Sequence, residues 1–218
     1  MILAIGNRNY SSWSLRPWLL MRRAGLEFDV VDVPLDTEDT PEAMLRWSPT
    51  GRVPVLHDGE LVVWDSLAIC EHVAELAPGA GLWPADRAER ALARSMSAEM
   101  HSGFPSLRAT MPMNCRRRVR GFVPDAATRV ELGRIDVSLG ESLRRSGGPW
   151  LAGRFGVVDA MYAPVASRVR TYAVALSAPV EAWIDRLLDT PEMREWYAAA
   201  AAETAVIDAE EIPDGAPA

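Results

Sequence analysis

Hydrophobic periodicity changes once along this 218-residue chain, and that change limits the folds open to it. Up to about residue 80, strand-like alternation and helical spacing take turns in the order β-α-β-α-β-β-α. Beyond Asp86 only helical spacing remains, and a Pro- and Gly-rich stretch, "APGAGLWPAD", separates the two parts. We therefore expect an α/β domain at residues 1–79 and an all-α helical-bundle domain at residues 87–218.

Local signals predict individual elements. The two apolar runs on either side of Asp58-Gly59 predict a hairpin with a type I′ turn, whose central residues need positive φ. The acidic, proline-bearing stretch from Asp208 to the end is expected to fray. The helices predicted after the linker lie at residues 87–107, 126–145, 157–172, 180–188 and 192–202.

Composition excludes several functional classes. The net charge of −7 argues against nucleic-acid binding, which needs a basic surface; the run "CRRRVR" is the exception and is interpreted as a solvated or substrate-facing loop. No signal-peptide pattern or membrane-length apolar run occurs, so a cytoplasmic protein without membrane contact is expected. Cys70 and Cys115 are too few for a disulfide framework or a metal site, and the absence of lysine rules out a lysine Schiff base.

Ser11, Ser12 and Ser14 fall where the first strand leads into the first helix. Backbone N–H groups and the positive end of the helix dipole converge at such a point and favour an anion. A thiol bound there would ionise more readily, because helix N-termini lower thiol pKa values and a serine hydroxyl that donates to the sulfur adds to this effect. The alternative is that these serines only cap the helix.

Two dipeptides also suggest ligand contacts. Val53-Pro54 precedes the hairpin, where an X-Pro bond can be a deliberate turn feature. Asp65-Ser66 opens the third helix, where the serine hydroxyl and the backbone N–H groups suit a carboxylate and the aspartate suits an ammonium group. Plain helix capping by this pair predicts the same helix and remains open.

The order of elements and these motifs together resemble the glutathione transferase family over nearly the whole chain, and "SSWSLR" is similar to the S-S-x-S-x-R signature of its zeta class. The resemblance implies a thioredoxin-like N-terminal domain that binds glutathione. It also implies that Ser11 is the catalytic serine, with Ser12 as the second candidate and Ser14 as the helix cap or a residue of the first turn. Trp13 stands where the zeta pattern usually has cysteine, which argues against disulfide-exchange catalysis.

The resemblance further implies a glutathione site at Arg52, Val53, Pro54, Asp65 and Ser66. A cis bond before Pro54 would turn the backbone of Val53 toward glutathione, which would pair with it as an added strand. Asp65 and Ser66 would hold the γ-glutamyl end. Arg52 would reach the glycyl carboxylate, or would be simply solvated.

The helical domain is expected to supply the second-substrate pocket. The residues implied for the pocket are Trp13, His101, Phe104 and Arg108. Core packing explains Phe104 equally well, and His101 has no partner that the sequence identifies. "FGVVDAMYAP" resembles the buried folding motif of the family, with Gly156 at the cap position and Asp159 bonding back to the backbone in a structural role.

These features predict an enzyme that activates glutathione as a thiolate and joins it to a small hydrophobic or unsaturated electrophile. Glutathione is a co-substrate in this hypothesis, and no metal or nucleotide is needed. A glutathione-dependent maleyl-keto-acid cis-trans isomerase is an alternative, for which Arg16, Arg108 or the cluster at residues 116–118 would bind substrate carboxylates. A non-catalytic scaffold with the same fold is the rival from another class. The resemblance also implies a homodimer.

Overall fold

The computed structural model describes residues 1–215; residues 216–218, which end the predicted second domain, lie outside the described part. The sheet has the order β2-β1-β3-β4, with β1 parallel to β2 and antiparallel to β3, and β3 antiparallel to β4. This mixed sheet confirms the predicted thioredoxin-like fold. The strands are β1 (Ile2–Ile5), β2 (Asp29–Asp32), β3 (Val55–Asp58) and β4 (Leu61–Trp64).

Helices accompany the sheet and then make up the rest of the chain, which confirms the predicted helical second part. Between residues 1 and 215 no helix is both long and apolar enough to cross a membrane. The helices beside the sheet are α1 (Ser12–Arg23), α2 (Thr40–Trp47) and α3 (Ser66–Leu76). The later helices are α4 (Arg87–Ser102), α5 (Pro105–Thr110), α6 (Ala126–Ser146), α7 (Val157–Tyr172), α8 (Ala178–Leu188) and α9 (Pro191–Ala202).

The single helix predicted over residues 87–107 is wrong, because α4 and α5 are separate. Phe104 has φ of +61°, in the left-handed region, so the helix cannot continue through it. Pro105 lacks a backbone N–H, which excludes it from a helix interior but suits the first position of a new helix. The chain therefore changes direction at Gly103 and Phe104.

The hairpin is confirmed, but its turn is centred one residue later than predicted. Asp58 pairs with Leu61, so Gly59 and Glu60 are the two loop residues. Gly59 has φ of +59°. Glu60 is not among the residues with positive φ, whereas a type I′ turn needs positive φ at both central positions, so the predicted type I′ turn on Asp58-Gly59 is wrong and the turn is typical of type II′.

Helix α7 forms the centre of the molecule, and nearly all its residues are buried. Helix α1 packs against both α3 and α7, and α4 also packs against α7. The Nε of Arg16 on α1 donates a hydrogen bond of 3.1 Å to the backbone oxygen of Met161 on α7. Helix α1 thus connects the sheet to the helical part, which places its N-terminus near the junction of the two.

Asp159, at the N-terminus of α7, is fully buried and has a complete set of donors. Its carboxylate accepts hydrogen bonds from the backbone N–H groups of Leu151 (3.1 Å) and Gly156 (3.0 Å) and from the indole N–H of Trp183 (2.8 Å). Burial nevertheless raises the pKa of Asp159 to about 6. A β-carbon on Gly156 would clash with the backbone oxygen of Leu82, which explains glycine at the cap position.

The expectation that the chain frays from Asp208 is wrong for the described residues. Residues 208–210 form a 3-10 turn, and Glu211 accepts hydrogen bonds from the hydroxyl of Tyr10 (2.7 Å) and the amide of Asn114 (2.7 Å). Arg117 forms an ion pair of 3.1 Å with Glu211. The segment has the acidic composition that indicated disorder, but its Glu211 is paired with basic and amide side chains from other parts of the chain.

Candidate functional site

Two adjoining cavities lie at the junction between the sheet and the helical part. Cavity 1 has a volume of about 660 Å³ and cavity 2 of about 360 Å³. Both volumes suit a small ligand. The cavities share three residues, Trp13, Arg52 and Val53, so that one bound molecule can extend between them.

Cavity 1 contains all five residues that the sequence implied for glutathione. The bond between Val53 and Pro54 is cis, as the resemblance implied. The backbone N–H and C=O of Val53 make no backbone hydrogen bond to any other residue of the described chain. They are therefore free to pair with an extended ligand. The lining residues are Trp13, Thr50, Arg52, Val53, Pro54, Trp64, Asp65, Ser66 and His101.

Ser66 presents an unpartnered hydroxyl to cavity 1. The side chain is only 2% exposed, and its Oγ has no hydrogen-bond partner within residues 1–215. Asp65 precedes it as the N-cap of α3, with φ of +76°, and its Oδ1 accepts from the backbone N–H groups of Leu67 (2.8 Å) and Ala68 (3.3 Å). A buried hydroxyl without a partner is costly, which favours a polar ligand at this helix N-terminus.

The second oxygen of Asp65 is also occupied. Its Oδ2 lies 3.0 Å from the Nε2 of His101, which extends from α4 across the junction. His101 also packs edge-on against Trp13, with ring centroids 5.4 Å apart, and burial lowers its pKa. The carboxylate of Asp65 therefore caps α3 with one oxygen and contacts His101 with the other. An ammonium group of a ligand would have to bind this carboxylate alongside those contacts.

Cavity 2 holds the N-terminus of α1. Ser11 and Ser12, each 6% exposed, line it together with residues of the helical part and of the C-terminal segment. The lining residues are Tyr10, Ser11, Ser12, Trp13, Leu35, Met44, Gly51, Arg52, Val53, Arg108, Pro112, Arg168, Ile207 and Glu210.

Of the two roles expected for Ser14, the structure shows the first-turn residue and not the cap. Ser11, not Ser14, is the N-cap of α1: its Oγ accepts weakly from the backbone N–H of Ser14 (3.4 Å) and donates to the Oγ of Ser14 (2.7 Å). Ser14 is fully buried and its Oγ accepts from the backbone N–H of Gly6 (3.1 Å). Ser12, the first residue of the helix, makes no side-chain hydrogen bond to residues 1–215 and faces cavity 2. Its hydroxyl is thus the one already free to donate to a ligand.

The four residues implied for the second-substrate pocket are not all brought together. Arg108 lines cavity 2, and Trp13 lies between the two cavities. His101 lines cavity 1 instead, and Phe104 is packed in the core with 6% exposure and lines neither cavity. Phe104 is thus a core residue, which is the alternative that the sequence left open for it.

Sequence reasoning missed Arg168 and the segment around Glu210, which both line cavity 2. Arg168 lies in the middle of α7, where the spacing indicates a helix but not which face meets a cavity. The two cysteines lie in the core, and burial raises the pKa of each thiol. Among the described residues no group of three or more His, Cys, Asp or Glu side chains is placed to hold a metal ion.

Comparison with known proteins agrees with this architecture. Residues 10–76 match the family "Glutathione S-transferase, N-terminal domain". A dichloromethane dehalogenase from Methylorubrum extorquens is 46% identical over 57 residues, which are 26% of this chain and 20% of that protein. A probable maleylacetoacetate isomerase from Caenorhabditis elegans is 32% identical over 100 residues, 46% of each chain. The matches thus span less than half the length of these relatives.

Solved structures extend the likeness to nearly the whole chain. A glutathione transferase homologue from Burkholderia, solved with bound glutathione, superposes with a TM-score of 0.69 at 22% identity and covers 93% of this chain and 98% of its own. At that identity the likeness establishes the fold. Omega, beta and tau class proteins also occur among the matches, so the comparisons support the glutathione S-transferase family without selecting the zeta class.

Proposed function

We propose that this chain, which carries a glutathione S-transferase N-terminal domain at residues 10–76, is a serine-type, zeta-like transferase that joins glutathione to a small electrophile. The observation that carries the proposal is the pairing of the two cavities. Cavity 1 offers a free backbone at Val53 and an unpartnered Ser66 hydroxyl, and it adjoins the serine-bearing N-terminus of α1 in cavity 2.

Glutathione would lie along cavity 1. Its γ-glutamyl carboxylate would accept from Ser66 at the N-terminus of α3, and its ammonium would approach Asp65. The cysteinyl backbone would pair with Val53 as an added strand. Arg52, which lines both cavities, would meet the glycyl carboxylate. In this pose the sulfur would enter cavity 2 beside the serines.

The N-terminus of α1 would favour the thiolate form of the bound sulfur. The helix dipole and unpaired N–H groups stabilise negative charge at this end, and a hydroxyl that donates to the sulfur stabilises it further. Ser11 would first have to release its hydrogen bond to Ser14, whereas Ser12 has no such bond to break. Both serines stay candidates, and their alanine variants separate the roles.

The thiolate would attack an electrophilic carbon in cavity 2. The C–S bond forms, the bond to the leaving group breaks, and the leaving group departs with the electron pair. The thiol proton is released to solvent when the thiolate forms. Proximity and stabilisation of the sulfur charge would supply the rate. Dichloromethane belongs in the substrate screen because a relative carries that activity in its name.

Glutathione titration of the wild type and Ser66→Ala tests the proposal by calorimetry. Loss of a hydrogen bond to a carboxylate should weaken binding by about tenfold or more. Ser95→Ala is the matched control, because Ser95 is exposed and its hydroxyl bonds only to the backbone of its own helix. Unchanged affinity in Ser66→Ala would refute this pose, and no binding at millimolar glutathione would support the non-catalytic scaffold instead.

An isomerase is the second candidate, favoured by the similarity to the probable maleylacetoacetate isomerase. The thiolate would add to the double bond, the remaining single bond would rotate, and the thiolate would leave. Turnover of maleylpyruvate without net consumption of glutathione would select this reaction over conjugation. We also infer a cytoplasmic homodimer from the family resemblance, and sedimentation velocity tests the oligomeric state.

A further inference from the structure

The turn that leads into α1, residues 7–11, carries the first of the two candidate serines, and we call it the serine turn. Within it, the N–H groups of Tyr10 (3.1 Å) and Ser11 (2.8 Å) donate to the backbone oxygen of Asn7. The N–H of Ser12 donates in turn to the backbone oxygen of Tyr10 (2.9 Å). Both serines that line cavity 2 are therefore bonded to this turn, and a movement of the turn would move them.

Glu203, the residue that follows α9, binds the serine turn with both carboxylate oxygens. Its Oε1 accepts from the backbone N–H of Arg8 at 2.6 Å, and its Oε2 accepts from the backbone N–H of Asn9 at 3.0 Å. Hydrogen bonds to a charged acceptor are stronger than those between neutral groups, and a bidentate pair fixes orientation as well as distance. No backbone oxygen of residues 1–215 accepts from either N–H, so the two donors depend on Glu203.

The oxygen atoms of the same two residues also have partners beyond the sheet. The backbone oxygen of Arg8 accepts from the indole N–H of Trp196 on α9 (2.9 Å), and that of Asn9 accepts from the N–H of Cys115 (3.2 Å). The side chain of Asn9 is fully buried, and its amide oxygen accepts from the backbone N–H of Arg116 (2.9 Å). The sheet-bearing part of the chain thus carries the serines, but the later part supplies the groups that hold residues 8 and 9.

Arg116 joins the serine turn to the residues around Glu203. Its Nη2 donates to the hydroxyl of Tyr10 (2.9 Å) and to the backbone oxygen of Ala205 (2.8 Å). Its Nη1 donates to the backbone oxygen of Glu203. Arg116 lines neither cavity 1 nor cavity 2, so its donors serve the turn and not a bound substrate.

We propose that Glu203 is a positioning residue for activation of the sulfur. By holding residues 8 and 9 it fixes the places of Ser11 and Ser12, and with them the alignment of a serine hydroxyl and of the α1 N-terminus with the bound thiol. Glu203 lines neither cavity, so it acts through the turn and not by touching a substrate. This inference rests on the proposed function for its reaction. Its consequence is that the C-terminal end of the chain contributes to thiolate formation.

Amide hydrogen exchange of the full chain without glutathione tests the contact itself. Glu203→Ala leaves the N–H groups of Arg8 and Asn9 without an acceptor, so the peptide covering residues 7–12 should exchange about tenfold faster. Asp208→Ala is the matched control, because Asp208 is an exposed acidic residue a few positions further along. Exchange at the wild-type rate over residues 7–12 in Glu203→Ala would overturn the inference and leave the transferase standing.

Ultraviolet absorbance of the bound glutathione thiolate against pH tests the positioning. In Glu203→Ala the pKa of the bound thiol should rise toward its free value, and the thiolate fraction near neutral pH should fall about three- to tenfold, because the serines and the helix end are no longer held against the sulfur. S-methylglutathione, which has no thiol, should bind this variant within about twofold of the wild type by calorimetry, since Val53 and Ser66 in cavity 1 are untouched. Equal losses of thiolate and of S-methylglutathione binding would overturn the inference.

The direction of the pKa change separates positioning from charge. A nearby carboxylate disfavours a thiolate, so loss of the Glu203 charge alone would lower the pKa of the bound thiol. Glu203→Gln keeps one oxygen acceptor but sets an amide NH₂ group against the second N–H, so its thiol pKa should lie between those of the wild type and Glu203→Ala. A lowered pKa in either variant would overturn the inference.

A further variant covers the case in which Glu203→Ala is merely less stable. Asp86→Ala removes the cap of α4, at the end of that helix opposite His101, and should leave the pKa of the bound thiol unchanged. The same rise in Asp86→Ala as in Glu203→Ala would overturn the inference. If Glu203→Ala does not fold, Glu203→Gln takes its place in each measurement.

The outcomes also separate this inference from the proposed function. A thiol pKa that is lowered in the wild type and equally lowered in both Glu203 variants would overturn the positioning role alone. S-methylglutathione binding with an unshifted thiol pKa in the wild type would overturn sulfur activation and the positioning role together.

Discussion

Asp159 and Arg168 lie on the same helix, α7, and both bury a charged side chain, with 0% and 3% exposure. Asp159 accepts three hydrogen bonds from N–H groups fixed by the fold. Arg168 donates one, to Met111, and its Nη1 faces no partner among the described residues. The N-terminal end of α7 therefore holds a satisfied charge, whereas the cavity side of the helix holds an unsatisfied one.

This difference indicates how each charge is used. A buried polar group normally finds a partner, and a native fold that leaves several unpaired beside a cavity indicates a ligand that supplies the missing bonds. The same argument applies to the Oγ of Ser66 in cavity 1 and the Nη1 of Arg168 in cavity 2, since both atoms are buried without a partner. On this account, the α7 N-terminus stabilises the fold and the cavity side binds substrates.

The largest effect should come from Asp159→Ala. The substitution leaves three buried N–H donors without an acceptor, and we expect the free energy of unfolding to fall by about 3 to 5 kcal/mol. Urea denaturation followed by circular dichroism measures it. Asp39→Ala is the control, because Asp39 is exposed and its side chain makes no capping bond. A loss under about 1 kcal/mol in Asp159→Ala would remove the contrast between the two regions.

Gly156→Ala tests the same region through shape. The new methyl group would meet the backbone oxygen of Leu82, which already accepts from the N–H of Val157 at 3.0 Å, so the cap must shift. We expect a loss of about 1 to 3 kcal/mol in urea denaturation. Gly133→Ala, on α6 with no atom near the added carbon, should be neutral or stabilising. Equal effects at the two glycines would contradict the proposed packing.

Arg168→Met should have the smallest effect on stability. Removing the guanidinium loses the bond to Met111 but relieves the burial of an unpaired charge near Arg108, and replacing buried charges with apolar groups is often close to neutral. We expect a change of about 1 kcal/mol or less in the free energy of unfolding. A loss comparable to that of Asp159→Ala would show that Arg168 is structural and would contradict the contrast between the two regions of α7.

Much of the fold could be predicted from periodicity and turn signals, because strands and amphipathic helices repeat with different periods. The break at Phe104 was missed, although Pro105, which cannot lie in a helix interior, marks it in the sequence. The turn at Gly59 was misplaced because both Asp58-Gly59 and Gly59-Glu60 fit the local signal. The acidic C-terminal segment was predicted to be disordered because its hydrogen-bond partners, Tyr10 and Asn114, are distant in sequence and meet it only in the folded chain.

The candidate site divides in a similar way. The serines and the Asp65-Ser66 pair belong to short motifs at helix starts and were identified from the sequence. Which serine caps α1 depends on the burial of Ser14, whose Oγ accepts a hydrogen bond from the backbone N–H of Gly6. No sequence motif encodes that contact. Arg168 could not be predicted as a site residue, because only the tertiary packing shows that its Nη1 is buried without a hydrogen-bond partner.

The measurement that tests the central claim most directly is the ultraviolet difference absorbance of glutathione thiolate against pH, for wild type, Ser11→Ala and Ser12→Ala. We expect the pKa of the bound thiol to lie well below its free value in the wild type and to return toward it in one of the two variants. The variant that restores it identifies the serine that donates to the sulfur. A bound thiol with an unshifted pKa in the wild type would contradict activation at the N-terminus of α1.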